Sequence, residues 1–320
     1  MAQACRCGHV SGETRGPIDI SFFQCRYESH YRRAPRIQYR VAQRDHAGGL
    51  RLHYQPQLRI DGSVYGAEAL ARWQDAVLGD VPPSKFIPLA EEYGLIEMIG
   101  TWSLREACQQ ISAWRRAGLH VPCVSVNMSP INFQNPDLAE LVRNILSEND
   151  LAPDALMLEV TEGVVMCEHS TAIETMEKIR QSGVRLSMDD FGTGYSSLSR
   201  LADLPVRELK IDRSFMRDIE SQASALAITR AIVRVGQSLG MTVVAEGVET
   251  DGQRRLLAEL GCDVTQGFVH APALSVPDFE HWLARHMATY GEAASADARQ
   301  MSAADDKPTL KLVSANPRPH

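Results

Sequence analysis

The chain is 320 residues long, 44% hydrophobic and 23% charged, an ordinary globular composition with enough length for one large core. Its formal net charge of -7 and the lack of a long basic stripe exclude general binding to a phosphate backbone, so no direct DNA contact is expected. No run approaches the ~18 apolar residues of a membrane span, and the N-terminus lacks the apolar segment of a signal peptide, so a cytoplasmic protein without a membrane span is expected.

Residues 1–45 mix Arg, His, Cys and Gly without clear periodicity and read as an irregular, poorly ordered lead. The seven cysteines, Cys5, Cys7, Cys25, Cys108, Cys123, Cys167 and Cys262, form an odd, scattered set that suits reduced thiols. "CRCGH" near the start lacks a second ligand pair at usable spacing and does not make a zinc site.

From residue 46 to 290 strand-like and helix-like runs alternate. Eight strands are predicted: "LRLHYQPQL" (50–58), "VYGAEAL" (64–70), "CVSVNMS" (123–129), "ALMLEVTE" (155–162), "RLSMDDF" (185–191), "ELKID" (208–212), "TVVAEGVE" (242–249) and "DVTQGFV" (263–269). Helical periodicity fills most gaps, over 89–118, 135–150, 170–183, 225–240 and 252–261. This order predicts an α/β fold, a (β/α)8 barrel of the triosephosphate isomerase type. One connection departs from it. Only "RIDGS" separates the first two strands, a parallel crossover needs a dozen residues or more, and Asp61-Gly62 signals a hairpin; the first strand should therefore run antiparallel. After residue 290 the sequence is small, polar and proline-bearing, and residues 291–320 are expected to form a disordered tail.

Chemistry in such barrels sits at the C-terminal ends of the strands. There the runs deliver Glu68, Asn127, Glu159, the adjacent pair Asp189 and Asp190, Lys210 with Asp212, Glu246 with Glu249, and Gln266. Each has a plain structural reading alone: Glu159 as a solvated carboxylate, Asn127 as a helix cap, Lys210 and Arg72 as surface cations. Convergence of so much negative charge on one rim calls for cations. The donors are all oxygens, which favours Mg²⁺ or Mn²⁺ over Zn²⁺, and there are enough of them for two ions with Asp189 between.

These motifs resemble the EAL-type cyclic di-GMP phosphodiesterases. "EALARW" (68–73) is similar to the name-giving signature, and "YQP" (54–56), "FIPLAEEYGLI" (86–96), "VNMSP" (126–130), "LEVTE" (158–162), "DDFGTGYSSL" (189–198), "LKID" (209–212), "AEGVET" (245–250) and "QGF" (266–268) follow in the family's order. The resemblance covers roughly residues 50 to 285 and implies hydrolysis of cyclic di-GMP to linear pGpG by water activated between two Mg²⁺ or Mn²⁺ ions. It implies Glu68, Asn127, Glu159 and Asp189 as ligands of one metal, Asp189 and Asp190 as ligands of the other, and Glu246 as holding the second metal or its water. Lys210 then matches the lysine that contacts the catalytic water. Arg72 matches a phosphate contact, with Gln55, Leu70 and Asp212 beside it as substrate contacts, and Gln266 and Glu249 match supporting positions. Glu162 matches the glutamate that anchors the glycine-rich loop after Asp190, a loop linked in the family to dimerisation, so a homodimer is expected. Two departures stand out: Gly163 follows "TE" where the family usually has serine, and "VHAP" (269–272) lacks the basic residue often found before that proline. Competing readings are a receptor or protein-interaction module that holds cyclic di-GMP without cleaving it, and an enolase-type barrel with Mg²⁺ on strand-end carboxylates.

Overall fold

The computed structural model describes residues 49–75, 78–92, 94–163, 170–192 and 198–305. The expected irregular lead, with Cys5, Cys7 and Cys25, lies outside these residues, as do Cys167, residues 193–197 and the last residues of the chain.

Asp61-Gly62 makes the turn that its composition requires. Asp61 Oδ1 accepts from the Ser63 backbone N–H at 2.8 Å and Gly62 takes φ +89°, a left-handed conformation that costs glycine nothing. The flanking strands β1 (Leu50–Arg59) and β2 (Val64–Asp75) therefore pair antiparallel, with Gln55 opposite Glu68. A short strand β3 (Gly79–Val81) extends β2 outward; at three residues it carries no readable period. The remaining strands, β4 (Val124–Met128), β5 (Leu156–Thr161), β6 (Arg185–Phe191), β7 (Glu208–Ile211), β8 (Thr242–Ala245) and β9 (Val264–Gln266), pair in parallel from β2 round to β9. β9 then pairs antiparallel with β1, placing Gln57 opposite Gln266 and closing an eight-strand barrel with one reversed strand.

The helices are α1 (Pro83–Glu92), α2 (Ile96–Arg116), α3 (Pro130–Phe133), α4 (Leu138–Glu148), α5 (Ser170–Gln181), α6 (Leu198–Asp203), α7 (Ala223–Ser238), α8 (Asp251–Leu260) and α9 (Val276–Asp305). The pattern read as one helix over 89–118 is two, because Gly94 takes φ +68° between α1 and α2. α9 passes residue 290, where an irregular tail was expected: the composition that cannot form a core is nevertheless rich in alanine, the strongest helix former. Its first turns are tied to the barrel by an aromatic cluster. Phe279 packs 5.1 Å from Trp114 and 6.0 Å from Tyr54 of β1, between ring centroids, and Trp114 Nε1 donates to Glu280 at 3.0 Å.

The main core lies between the strands and the surrounding helices, built on fully buried residues such as Leu104, Val126, Leu158, Leu186, Leu209 and Val243. A second, small cluster of Tyr65, Cys123, Met157, Val244 and Val264 fills the lower barrel and leaves the upper rim to polar side chains. Among the described residues no helix is long and apolar enough to cross a membrane.

Candidate metal centre and active site

Side chains on a strand alternate between faces, so one residue in two points into the barrel. Contacts between strands that are not neighbours identify the inward set. Lys210 Nζ on β7 lies 2.6 Å from Glu159 Oε2 on β5, 2.6 Å from Glu246 Oε1 after β8, 3.3 Å from Asp189 Oδ1 on β6 and 3.4 Å from Glu68 Oε2 on β2. The lysine and Glu159 are both 0% exposed, which removes the surface reading for each. Asn127 does not cap the helix that follows it; Ser129 does, with Asn132, as a capping box at α3.

Two adjacent aspartates on a regular strand would face opposite ways. β6 solves this with a bulge: Met188 pairs with Leu209 and Phe191 with Ile211, so Asp189 and Asp190 together stand opposite the single residue Lys210. Asp190 takes φ +54° to make the turn, a left-handed conformation that aspartate tolerates better than most residues. Asp189, Asp190 and Glu246 consequently each bring one oxygen within 4.8 Å of the others, a group able to hold a metal ion. The donor set is hard and anionic, which fits Mg²⁺ or Mn²⁺.

Glu68 is held on both oxygens. Asn127 Nδ2 donates to Oε1 at 2.6 Å and Gln266 Nε2 donates to Oε2 at 2.6 Å. With its amide nitrogen so engaged, Asn127 keeps its carbonyl oxygen as an acceptor. Gln266 in turn touches Gln55 at 3.1 Å and accepts from Gln57 Nε2 at 2.8 Å. Gln57, 3% exposed, has no place in the expected site set; its signal is a polar residue at an inward position two along from Gln55 in "YQPQ".

Burial pushes Glu68, Glu159, Asp190, Asp212 and Glu246 up, and neighbours decide the outcome. For Glu68 the Lys210 charge and the two amide donors overcome burial and hold it below the usual range. Glu159 stays well above that range, through burial and then the Glu68 charge. Glu246 is pushed up to about 8 by burial against the pull of Lys210, with Asp189 and Glu68 adding repulsion. Asp190 rises to about 6 through burial, Asp189 and Asp212, with which it shares a hydrogen bond. Asp212 sits below the usual range despite burial, because the Ser214 side chain and backbone and Asp190 hydrogen-bond its charged form. Burial opposes the charge on Lys210, yet Asp189, Glu159, Glu246 and Glu68 together raise it well above its ordinary value.

Above the carboxylates opens a cavity of about 630 Å³ whose wall includes Gln55, Leu70, Arg72, Asp212, Glu249 and Phe268. Arg72 donates to the Ala71 carbonyl at 2.9 Å, and Phe268 is 69% exposed. Glu249 is exposed, and its backbone N–H is held by Gln253 Oε1 at 2.7 Å inside the cap of α8. Glu162 Oε2 accepts from the Gly192 backbone N–H at 3.3 Å.

Residues 38–273 match the family model described as the EAL domain. The chain is 46% identical over 236 residues to the oxygen sensor protein DosP of Escherichia coli K12, covering 73% of this chain and 29% of that protein. It is 44% identical over 219 residues to the bifunctional diguanylate cyclase/cyclic di-GMP phosphodiesterase MucR of Pseudomonas aeruginosa, covering 68% of this chain and 32% of MucR. It thus spans about a third of the length of these relatives. Among solved structures, the PaMucR phosphodiesterase in complex with c-di-GMP superposes with a TM-score of 0.70 at 38% identity, covering 81% of this chain and 98% of that one.

Proposed function

This chain belongs to the EAL domain family, and from that premise we propose that it hydrolyses cyclic di-GMP to linear pGpG with two Mg²⁺ or Mn²⁺ ions. The observation that carries this reading is the convergence of Asp189, Asp190 and Glu246 within 4.8 Å at the barrel mouth, beside a fully buried lysine.

Glu68, Asn127, Glu159 and Asp189 would hold one ion, and Asp189, Asp190 and Glu246 the other. Divalent cations there supply positive charge to phosphate oxygens and acidify water. The chain's own groups do the rest. Lys210 remains protonated among its carboxylates, so it can donate a hydrogen bond to the attacking oxygen and stabilise charge developing on the phosphorus oxygens. Glu246, raised to about 8 in the metal-free chain, would give up that proton to an incoming cation and serve as an anionic ligand. Gln55, Leu70, Arg72 and Asp212 offer the wall against which the cyclic dinucleotide is oriented, and the exposed Phe268 ring presents a face on which a purine can stack. A homodimer belongs to the same reading, through the family resemblance alone.

The test is incubation of the purified chain with cyclic di-GMP and Mg²⁺ or Mn²⁺, followed by chromatography for pGpG. Product that disappears with chelator is expected. Tight cyclic di-GMP binding without product would favour the receptor reading, and neither binding nor product would overturn both.

A further inference from the structure

We propose that Gln57 is a positioning residue for Glu68, acting through the amide of Gln266. The inference rests on the reading of Glu68 as a metal ligand, and it concerns a side chain that no motif of the site includes.

A primary amide has two chemically different ends, and nothing in its shape decides which end faces which neighbour. Gln266 places one end 2.6 Å from Glu68 Oε2 and the other 2.8 Å from Gln57. A carboxylate that serves as a metal ligand only accepts, as Glu68 does from Asn127 on its other oxygen, so the Gln266 end beside it must be nitrogen. The opposite end is then oxygen and needs a donor, which Gln57 Nε2 supplies. The second hydrogen of Gln266 Nε2 goes to Gln55 Oε1 at 3.1 Å, and Gln55 Nε2 donates to the Ala271 carbonyl at 3.0 Å. The chain of amides therefore has one sense, set at one end by a carboxylate and at the other by a backbone carbonyl, neither of which can donate.

Gln57 guards that sense from beneath. It is 3% exposed and Gln266 is 3% exposed, so water does not substitute freely for either. Their strands pair antiparallel with these two residues directly opposite, which brings the side chains together through backbone register and not through chance rotamers. If residue 57 could only accept, Gln266 would turn its nitrogen toward it and its oxygen toward Glu68. Two acceptors would then face each other and the Glu68 carboxylate would swing from its place.

The substitutions Gln57→Lys, Gln57→Met and Gln57→Glu separate this from simple charge. Lysine only donates, methionine does neither, and a carboxylate only accepts. By Coulomb attraction alone a negative charge there tightens a divalent cation and a positive one loosens it, giving affinity in the order Glu, Met, Lys. The amide ladder gives the reverse order. Mn²⁺ affinity is measured by calorimetry on the intact chain without nucleotide, with circular dichroism to confirm folding. Expected are an affinity for Gln57→Lys within about threefold of the parent and losses of roughly 10- to 100-fold for Gln57→Met and Gln57→Glu, the last being greatest. If the lysine variant does not fold, the order of the other two decides. Parent-like or tighter Mn²⁺ binding by Gln57→Glu overturns the ladder alone. A parent chain that binds no Mn²⁺ overturns the metal reading and this inference together.

Discussion

Removing the ammonium of Lys210 exposes what it balances. Lys210→Met keeps an unbranched side chain of similar length in a position that is 0% exposed, so packing is nearly conserved and the change is electrostatic. Four carboxylates, at 2.6, 2.6, 3.3 and 3.4 Å from Nζ, lose their shared cation. Breaking a buried ion pair from one side costs about 3–5 kcal/mol. At ~2–4 °C per kcal/mol for a domain of this size, the metal-free variant should melt roughly 6–20 °C below the parent. Mn²⁺ at a hundredfold excess over its Kd would restore about 2.7 kcal/mol, and it should lift the variant more than the parent because it replaces a missing charge. The assay is a thermal scan of both proteins in chelator and in Mn²⁺. A variant melting within about 2 °C of the parent in chelator would refute the claim that Lys210 holds the carboxylates together, since that is below the smallest effect expected.

Three further outcomes follow from the same geometry. Glu68→Ala should abolish hydrolysis, leaving circular dichroism unchanged, because it removes a rim donor and not a core side chain; turnover within about tenfold of the parent would remove Glu68 from the metal site. Replacing Mg²⁺ with Ca²⁺ should preserve cyclic di-GMP binding by calorimetry while stopping pGpG formation, since Ca²⁺ takes oxygen ligands at about 2.3–2.6 Å in a looser shell where Mg²⁺ demands an octahedron at about 2.0–2.1 Å; cleavage at a similar rate in Ca²⁺ would refute a geometry-dependent reaction. Without metal, stability should fall as pH rises from 4.5 to about 8, because Glu246 is raised from 4.5 to about 8 and the folded chain binds the extra proton across that window. The urea midpoint at pH 5, 6.5 and 8 in chelator reads this directly, and a midpoint that climbs with pH contradicts it.

The barrel and its reversed strand were legible because each rests on local chemistry. Asp61-Gly62 allows only a tight turn, and period-2 runs of Val, Leu and Ile separated by helical periodicity leave few topologies. The site was legible as far as residue types at strand ends could carry it. What stayed hidden depends on long-range register or on very short elements. β3 has three residues; the β6 bulge shows only when β7 is laid beside it; Gln57 meets Gln266 only because β9 closes on β1 across 209 positions of sequence. α9 was hidden for another reason, since alanine-rich polar sequence reads equally as tail or as helix until Phe279 is seen against Trp114.

The adjacency of Asp189 and Asp190 follows from the charge balance of the rim. Lys210 is the one cation that contacts Glu68, Glu159, Asp189 and Glu246 among the described residues, and Asp190 adds a fifth carboxylate beside them. A rim so short of positive charge has two ways to reach neutrality. Protons can fill it, which is what the raised positions of Glu159, Glu246 and Asp190 express, or cations can displace those protons. The bulge keeps both aspartates on the mouth side, so the repulsion that the fold bears without metal is the attraction that a divalent ion meets on arrival. Relieving that repulsion by Asp190→Asn should therefore act in opposite directions on the two quantities. The metal-free chain should melt higher, because a like charge beside Asp189 is gone, while Mn²⁺ affinity measured by calorimetry should drop by tenfold or more on the order typical of a lost carboxylate ligand. A variant that gains stability and keeps its Mn²⁺ affinity would show that Asp190 repels its neighbour without holding an ion.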